Sequence, residues 1–404
     1  MKWNSALLTI AATAIATPAV AGDATAFIND AKPYVDARYR YEFVDQKGLL
    51  HNANASTLRV RAGVRSGVVA GFSVVAEGEA IVTVGSENFN DTINGKVTYP
   101  VVADPEDVVL NQLAARWNGI KEIDVIGGRQ TINLGNQRFI GSVGWRQNDQ
   151  TMDAGMVTVS ALPGLKATYA YAWRVNRVFG PDSPVGIWRD NNIHLLHAEY
   201  DAKALGVLTA YGYFLDIPDA PGSSSKTFGA RLAGKAQLAN AVAALYALEF
   251  AHQTEHGDNP ANFGLDYFLI EPGLAWKSLT LKAGYERLEG NGSVAFQTPL
   301  ATLHAFNGWA DKFLTTPANG LEDIYVDVTY KHAGNDFLAG TTFKVVYHDF
   351  SSTENSIDYG TEWNALISRG FGPHVTVTAK LADYNADGFA TDTTKVMLMT
   401  EVKF

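Results

Sequence analysis

The most constraining feature of this sequence is a repeated alternation of apolar and polar residues in segments of about ten residues. In the segment Tyr34–Asp45 the odd positions from Val35 to Phe43 are apolar or aromatic, whereas the even positions include Arg38 and Arg40. Successive side chains of a strand point to opposite faces, so such a segment predicts a strand with one apolar face and one polar face. After residue 21, no apolar run reaches the roughly 18 residues that a membrane-spanning helix requires.

The same alternation recurs along the chain and predicts about eighteen strands. Their predicted ranges are 34–45, 56–65, 71–83, 109–117, 122–130, 155–162, 165–174, 193–201, 206–216, 227–236, 240–251, 263–275, 279–288, 322–331, 340–350, 357–369, 373–384 and 395–404. The segment Asn240–Phe250 has the composition of a short helix, but its apolar residues alternate with small ones. That alternation favours a strand.

The connections between the predicted strands alternate between long and short. Long links cover 84–108, 131–154, 175–192 and 289–321, and short ones cover 66–70, 118–121, 163–164, 201–205, 276–278 and 370–372. Bacterial transmembrane barrels combine an even strand number with short periplasmic turns and longer outer loops. The sequence therefore predicts an all-β fold, a transmembrane antiparallel β-barrel of about 18 strands. A large β-sandwich or β-helix is the alternative, and it would not produce the long–short rhythm.

The two ends of the chain indicate where such a barrel would reside. Residues 1–21 are typical of a secretory signal peptide, with Lys2, a short apolar stretch and a small-residue cleavage site at Ala19–Ala21. The barrel is then expected over residues 22–404. The last strand ends in Phe404 with apolar residues at alternate preceding positions, and this resembles the signal read by the barrel assembly machinery. We expect a location in the outer membrane of a Gram-negative bacterium, surrounded by outer-membrane lipid and lipopolysaccharide.

Composition and motifs exclude several classes of function. The formal net charge of −10 argues against nucleic acid as a partner, and the absence of cysteine excludes disulfides and thiolate sites. His194 and His197 fall on opposite faces of their strand, and His252 and His256 lie in a segment that reads more simply as a solvated loop than as a metal site. No nucleophile–base pair is evident. We therefore expect no enzyme, no catalytic residue, no cofactor and no metal.

Arginine is unevenly distributed, since twelve of the fifteen arginines precede residue 200. The polar faces of the predicted strands carry Arg38, Arg40, Arg59, Arg61, Arg65 and Arg174, and Arg116 is expected there too. A guanidinium fork suits carboxylates, so rows of arginine in a lumen would favour anions. The alternative is the generic polar lining of a water-filled barrel. Nearby acidic side chains (Asp36, Glu42, Glu77 and Glu79) are expected to offset repulsion between neighbouring arginines.

The segment 128–153 is the most distinctive in the chain. Its residues Gly128-Arg129-Gln130, Gly135–Gly141, Trp145–Asn148 and Asp153 resemble the alginate export family of outer-membrane porins. The resemblance implies a monomeric 18-strand channel with an arginine-lined constriction through which an anionic polysaccharide passes. By matching position it also implies that Arg129, Arg138 and Arg146 lie near that constriction.

The sequence thus predicts a passive channel that favours anionic solutes, with an acidic polysaccharide such as alginate as the first candidate. Uptake of small carboxylated solutes is the alternative, because the same arginines would serve it. A barrel enzyme or a surface-binding barrel without an open pore is a third possibility. The predicted pore-lining residues are Arg38, Arg40, Arg59, Arg61, Arg65, Arg116, Arg129, Arg138, Arg146 and Arg174.

Overall fold

The structure is a computed structural model that describes residues 25–404, and the predicted signal peptide at residues 1–21 lies outside the described residues. One short helix, Ala26–Asn29, precedes the sheet, and single 3₁₀ turns occur at Lys203–Leu205, Pro221–Ser223 and Leu303–Ala305. The strands are β1 Lys32–Gln46, β2 Ala53–Arg65, β3 Phe72–Thr83, β4 Asp107–Ile120, β5 Ile123–Gln130, β6 Thr151–Val159, β7 Leu165–Asn176, β8 Ile187–Trp188, β9 Asn192–Asp201, β10 Val207–Asp216, β11 Ser225–Ala239, β12 Val242–Glu255, β13 Gly264–Trp276, β14 Leu279–Leu288, β15 Leu321–Lys331, β16 Thr342–Ser351, β17 Asp358–Phe371, β18 Val375–Ala386 and β19 Thr393–Lys403.

Within residues 25–404, no helix combines the length and the apolar character needed to cross a bilayer.

Eighteen long strands close into a single antiparallel barrel. Each pairs with the next along the chain, and β19 pairs back onto β1 from Asp36↔Lys403 to Gln46↔Thr393. The two-residue β8 pairs only with the end of β7, which itself pairs with β9. Closure pairs both edges of each of the eighteen long strands. The predicted all-β barrel of about 18 strands is confirmed, and the ambiguous segment Asn240–Phe250 forms most of strand β12.

The two faces of the wall differ as the alternation predicts. Outward residues such as Val35, Val64 and Val326 are apolar and exposed, whereas the inward residues Arg40 and Arg59 are almost fully buried. A wall with an apolar outer face and a polar inner face is what a bilayer-spanning barrel requires, because lipid offers no partner for polar groups.

The connections at one end of the barrel are mostly longer than those at the other. One end carries residues 47–52, 84–106, 131–150, 177–191, 217–224, 256–263, 289–320, 352–357 and 387–392, and the other carries 66–71, 121–122, 160–164, 202–206, 240–241, 277–278, 332–341 and 372–374. We refer to these as the long-loop end and the short-turn end. In bacterial barrels the longer loops are extracellular.

Two of the long connections, residues 131–150 and 289–320, fold into the lumen and pack against the inner wall. Phe139 of the first loop lies 5.4 Å from the Tyr267 ring of the wall and 6.0 Å from the Phe296 ring of the second loop, between ring centroids. Leu300 and Trp309 are buried in the same apolar cluster. The interior of the barrel is therefore partly a packed core.

Candidate functional site

Arginines of β1 and β2 hold the inward loop 131–150 against the wall. Arg38, Arg40 and Arg61 donate hydrogen bonds to backbone carbonyls within residues 144–147. The Arg38 Nη1 donates to two of these carbonyls at 2.9 and 3.1 Å, and the Arg61 Nη2 donates to a third at 3.2 Å. Backbone carbonyls are good acceptors for guanidinium groups, so this part of the loop is fixed by charge-assisted bonds.

The same arginines are neutralised by neighbouring carboxylates. The ion pairs are Arg38–Glu401 at 2.9 Å, Arg40–Glu42 at 3.0 Å, Arg59–Asp36 at 2.6 Å, Arg61–Asp149 at 2.8 Å and Arg61–Glu79. Asp36, Glu42 and Glu79 thus offset the repulsion as expected, whereas Glu77 accepts hydrogen bonds from Asn111 and Gln112. All four arginines point inward, and three of them (Arg38, Arg40 and Arg61) meet a folded loop. The sequence alternation fixes the face of a side chain and does not reveal what covers it.

Arg146, on the inward loop, lies at the centre of a buried charge network. Its guanidinium is 3.0 Å from Asp311, 3.3 Å from Glu42 and 3.7 Å from Asp104. Burial lowers the pKa of Arg146, but the three carboxylates outweigh that effect and raise the pKa above its usual value. Arg146 therefore stays charged, and it joins the inward loop 131–150 to the loop 289–320.

Arg138 anchors the other part of the same loop. Its Nε donates to Glu286 on β14 at 2.7 Å, and its Nη atoms donate to Thr298 and Asn307 at 3.1 Å each. The side chain is fully buried. These contacts connect the loop 131–150 to the wall through Glu286 and to the loop 289–320 through Thr298 and Asn307. Arg138 is therefore a structural bridge.

Arg129 and Arg174 lie at the long-loop ends of β5 and β7, where both line a small cavity together with Asn148 and Asp149 of the inward loop. Arg129, Asp153 and Arg174 are direct cross-strand neighbours on β5, β6 and β7, and the residues beside them, Met152 and Val175, are buried on the inner face. A bulge between Asp153 and Ala154 inserts one residue into β7. A bulge disturbs the alternation, so the face of Arg174 does not follow from its position in β7 alone.

Arg65 and Arg116 lie near the short-turn end. The Arg65 guanidinium lies over the Tyr34 ring at 4.6 Å from its centroid. Arg116 forms a paired contact with Asp124 at 2.6 and 3.0 Å, and half of its side chain is exposed. Both are therefore far along the wall from the inward loops.

A cavity of about 390 Å³ opens between the inward loops and the long-loop end, and we call it the vestibule cavity. Much of its lining is apolar, including Val143, Phe179 and Leu314. Its ionised side chains are Arg146, Arg177, Lys312 and Lys395 against the single carboxylate of Asp311. Burial lowers the pKa of His304, also in the lining, to about 3, so this imidazole is neutral. The cavity is therefore positively charged.

Two of these cations have no acidic partner in the part of the chain that the structure describes. Arg146 and Lys395 share Asp311 at 3.0 and 2.7 Å. Arg177 and Lys312, by contrast, form no ion pair within residues 25–404. Burial lowers the pKa of Lys312 to about 8 and that of Arg177 to about 10. A desolvated cation without a partner gains most from an incoming carboxylate.

The Arg177 guanidinium is positioned by aromatic rings and a carbonyl. It lies 4.2 Å from the Trp188 centroid and 4.8 Å from the Phe179 centroid, and its Nη1 donates to the Val185 carbonyl at 2.9 Å. Arg177 also borders a side cavity of about 520 Å³ that is lined by hydroxyl, amide and aromatic side chains. No sequence pattern singles out Arg177 or Lys312, because both lie in long links where no alternation assigns a face.

The segment 303–312 of the second inward loop divides the vestibule cavity from an inner cavity of about 260 Å³. Residues 303, 304 and 310–312 line the vestibule cavity, whereas residues 305–309 line the inner cavity. The inner cavity has mixed charge, with Lys282 paired to Glu271 at 2.9 Å and Lys344 to Asp327 at 2.8 Å.

Within residues 25–404, no three His, Asp or Glu side chains are grouped so that they could hold a metal ion.

No protein-family profile matches the chain, and no curated protein matches it in sequence. Solved structures of Pseudomonas aeruginosa proteins do match in fold. OpdK with vanillate matches with a TM-score of 0.74 at 16% identity, over 94% of this chain and 99% of that one. OpdL matches with a TM-score of 0.71 at 17% identity over 93% and 99%, and OccK8 (OprE) with 0.70 at 15% over 94% and 99%.

These likenesses concern the fold, which is that of outer-membrane porins. The outer-membrane location predicted from the signal peptide and the last strand agrees with it. The alginate export family, which the segment 128–153 resembles, is not supported by the structural likeness.

Proposed function

We propose that this chain is a passive outer-membrane channel that admits small carboxylated solutes. The observation that carries the proposal is the vestibule cavity, in which Lys312 and Arg177 have no acidic partner among residues 25–404. Each is a half-buried cation beside apolar side chains, and a carboxylate is the group that would satisfy both hydrogen bonding and charge.

The size of the open space favours small solutes over a polysaccharide. The vestibule cavity of about 390 Å³ is comparable with sites that bury a small organic molecule. The two inward loops fill much of the remaining lumen with packed side chains such as Phe139 and Phe296. An extended alginate chain would have to displace this core, so passage of an acidic polysaccharide is the less favoured function.

The charge pattern of the two cavities favours anionic over cationic solutes. A solute entering from the long-loop end meets four cations and one carboxylate and then, beyond the segment 303–312, paired charges of both signs. Positive linings attract anions and repel cations. The described OpdK structure contains vanillate, an aromatic carboxylate. The aromatic and apolar lining around Arg177 would suit a solute of that kind.

Planar-bilayer recordings of the purified barrel test the proposal. We expect vanillate to interrupt the ion current through the wild-type channel, and we expect vanillyl alcohol, which lacks the carboxylate, not to do so. Lys312→Gln should weaken the interruption about ten- to a hundredfold, because one charge-assisted hydrogen bond is worth about 1.5–3 kcal/mol. Arg177→Gln should act in the same direction.

The matched control is Lys121→Gln, an exposed lysine in the turn between β4 and β5 at the short-turn end. It removes the same charge and should leave the effect of vanillate unchanged. Equal potency of vanillate and vanillyl alcohol, or equal potency against wild type and Lys312→Gln, would contradict the proposal. Stronger interruption by an alginate oligosaccharide that Lys312→Gln abolishes would favour polysaccharide passage.

A further inference from the structure

The side cavity that borders Arg177 is larger than the vestibule cavity, with a volume of about 520 Å³. It lies at the long-loop end, between residues of the loops 177–191, 217–224 and 289–320. The residues that line both cavities are Arg177, Phe179, Pro299, Leu303 and Leu314. The two cavities therefore share one wall, and a solute bound at Arg177 borders both.

The lining of the side cavity is neutral apart from Arg177, which is the one charged residue in it among residues 25–404. The neutral part combines hydroxyl-bearing residues such as Ser225 and Thr316 with apolar ones such as Phe263 and Val294. A second charged group of a solute would be desolvated here without a counter-ion, at a high cost in free energy. The part of a solute that fits this cavity is therefore neutral.

Hydrogen bonds between the surrounding segments hold the side cavity in shape. The Gln253 side chain on β12 donates to the Gln297 carbonyl at 2.8 Å and accepts from the Gln297 N–H at 2.9 Å. The Gln297 side chain in turn donates to the Thr316 carbonyl at 2.8 Å. Asn259 donates to the Ser224 carbonyl at 2.7 Å and so joins two further loops. The walls are thus fixed before a solute arrives, which reduces the entropy lost on binding.

Two polar groups of this lining have hydrogen-bonding capacity that the protein does not use. The Ser225 hydroxyl oxygen is buried and has no hydrogen-bond partner among residues 25–404. The Arg177 guanidinium has five N–H donors, and its hydrogen bond within the same residues uses Nη1 alone, to the Val185 carbonyl. Buried polar groups almost always have a partner in native proteins. A molecule with a carboxylate for Arg177 and a hydroxyl group for Ser225 would satisfy both.

We infer that the side cavity binds a neutral, hydroxylated ring of a solute whose carboxylate is held at Arg177, so that the channel prefers glycosides of small aromatic acids to the acids alone. The inference rests on the proposed function, because it requires a carboxylate in the vestibule cavity. A sugar ring suits the lining, since its hydroxyl groups can bond to Ser225 and its C–H face can pack against Phe263 and Val294. Adjoining cavities of about 390 and 520 Å³ give each half of such a molecule its own site.

Planar-bilayer recordings of the purified full barrel test the inference with three probes: vanillate, vanillate glucosylated on its phenol oxygen, and vanillyl alcohol glucosylated on the same oxygen. We expect the vanillate glucoside to interrupt the current at an about five- to tenfold lower concentration than vanillate, because the sugar adds one or two neutral hydrogen bonds. Ala318→Trp, at an exposed residue of the lining, should remove this advantage by filling the cavity and should leave the potency of vanillate unchanged. Ser225→Ala should reduce the advantage about two- to fivefold.

Ala161→Trp is the matched control, because Ala161 is an exposed alanine at the short-turn end, and it should preserve the advantage of the glucoside. Equal potency of vanillate and its glucoside in wild type would overturn the inference and leave the proposed function standing. Interruption by neither compound would refute the proposed function and the inference with it. Equal potency of the two glucosides, or an advantage that survives in both Ala318→Trp and Ser225→Ala, would also overturn the inference. Heat-modifiable migration verifies the fold of each variant, and the comparison of probes in wild type is decisive even if a variant misfolds.

Discussion

Replacement of Arg61 by glutamine should release part of the inward loop 131–150 and leave the barrel closed. Arg61 lies between two carboxylates that are almost fully buried, Glu79 on β3 and Asp149 on the loop. It also donates to the Gln147 carbonyl at 3.2 Å. Glutamine can keep one hydrogen bond, but it leaves both carboxylates without their cation.

The structure sets the size of the expected effect. Removal of one partner from a buried ion pair costs about 3–5 kcal/mol, because the remaining charge is stranded away from water. The Asp149 side chain is 8% exposed, and loop movement would expose it further. Release of the loop at this point is thus the response with the lowest free-energy cost. The Arg38 bonds to the loop carbonyls remain, so we expect intermittent opening rather than loss of the fold.

Single-channel recordings and denaturant unfolding measure the two consequences. Arg61→Gln should raise the current noise and mean conductance, and should lower the free energy of unfolding. Adding Asp149→Asn should recover about half of the lost stability, because one of two stranded charges is removed. Arg116→Gln, whose ion pair is half exposed, should cost less than about 1 kcal/mol and leave the noise unchanged. A quiet Arg61→Gln channel, or a double variant less stable than the single one, would refute the reasoning.

Three further outcomes are expected. Interruption of the current by vanillate should weaken between pH 7 and 9. Burial lowers the pKa of Lys312 to about 8, so its ammonium group is charged below that pH and neutral above it. A potency that does not change with pH in wild type, or that changes equally in Lys312→Gln, would contradict this. A protease site inserted between Ser86 and Thr98 should be cut on intact cells, and one at Pro163–Gly164 should not be cut. Equal protection at both sites would contradict the assigned orientation. Deletion of Phe404 should reduce the amount of heat-modifiable barrel and leave aggregated protein in the periplasm. A yield of folded barrel equal to that of wild type would show that assembly depends on another signal.

The barrel could be predicted from the sequence because strand alternation is a local property. Side chains on β1 and β2 alternate without a bulge, and the inward placement of Arg38 and Arg59 follows from position alone. Arg174 shows the limit of this argument, since one inserted residue in β7 disturbs the alternation there. That insertion is visible only once the two strands are paired.

The site was harder to predict, because it depends on where long loops settle. The sequence identified Arg146 through a motif, but its partner Asp311 lies 165 residues away on another loop. Lys312 and Arg177 have no pattern around them. Only the three-dimensional packing shows that they share a cavity and that neither has an acidic partner among the described residues. Pairing between loops is set by tertiary contacts, which neither composition nor periodicity encodes.

The segment 303–312 has a consequence for flux in the two directions. Because this one stretch of chain forms a wall of both the vestibule cavity and the inner cavity, a solute held on either side restrains the same ten residues. A solute bound in one cavity would then restrict the motion of the segment 303–312 and so hinder a solute in the other cavity, although the two solutes never touch. Net transport would saturate earlier when both compartments contain solute than when one is empty, which is the kinetic signature of trans-inhibition in a channel that has no moving carrier.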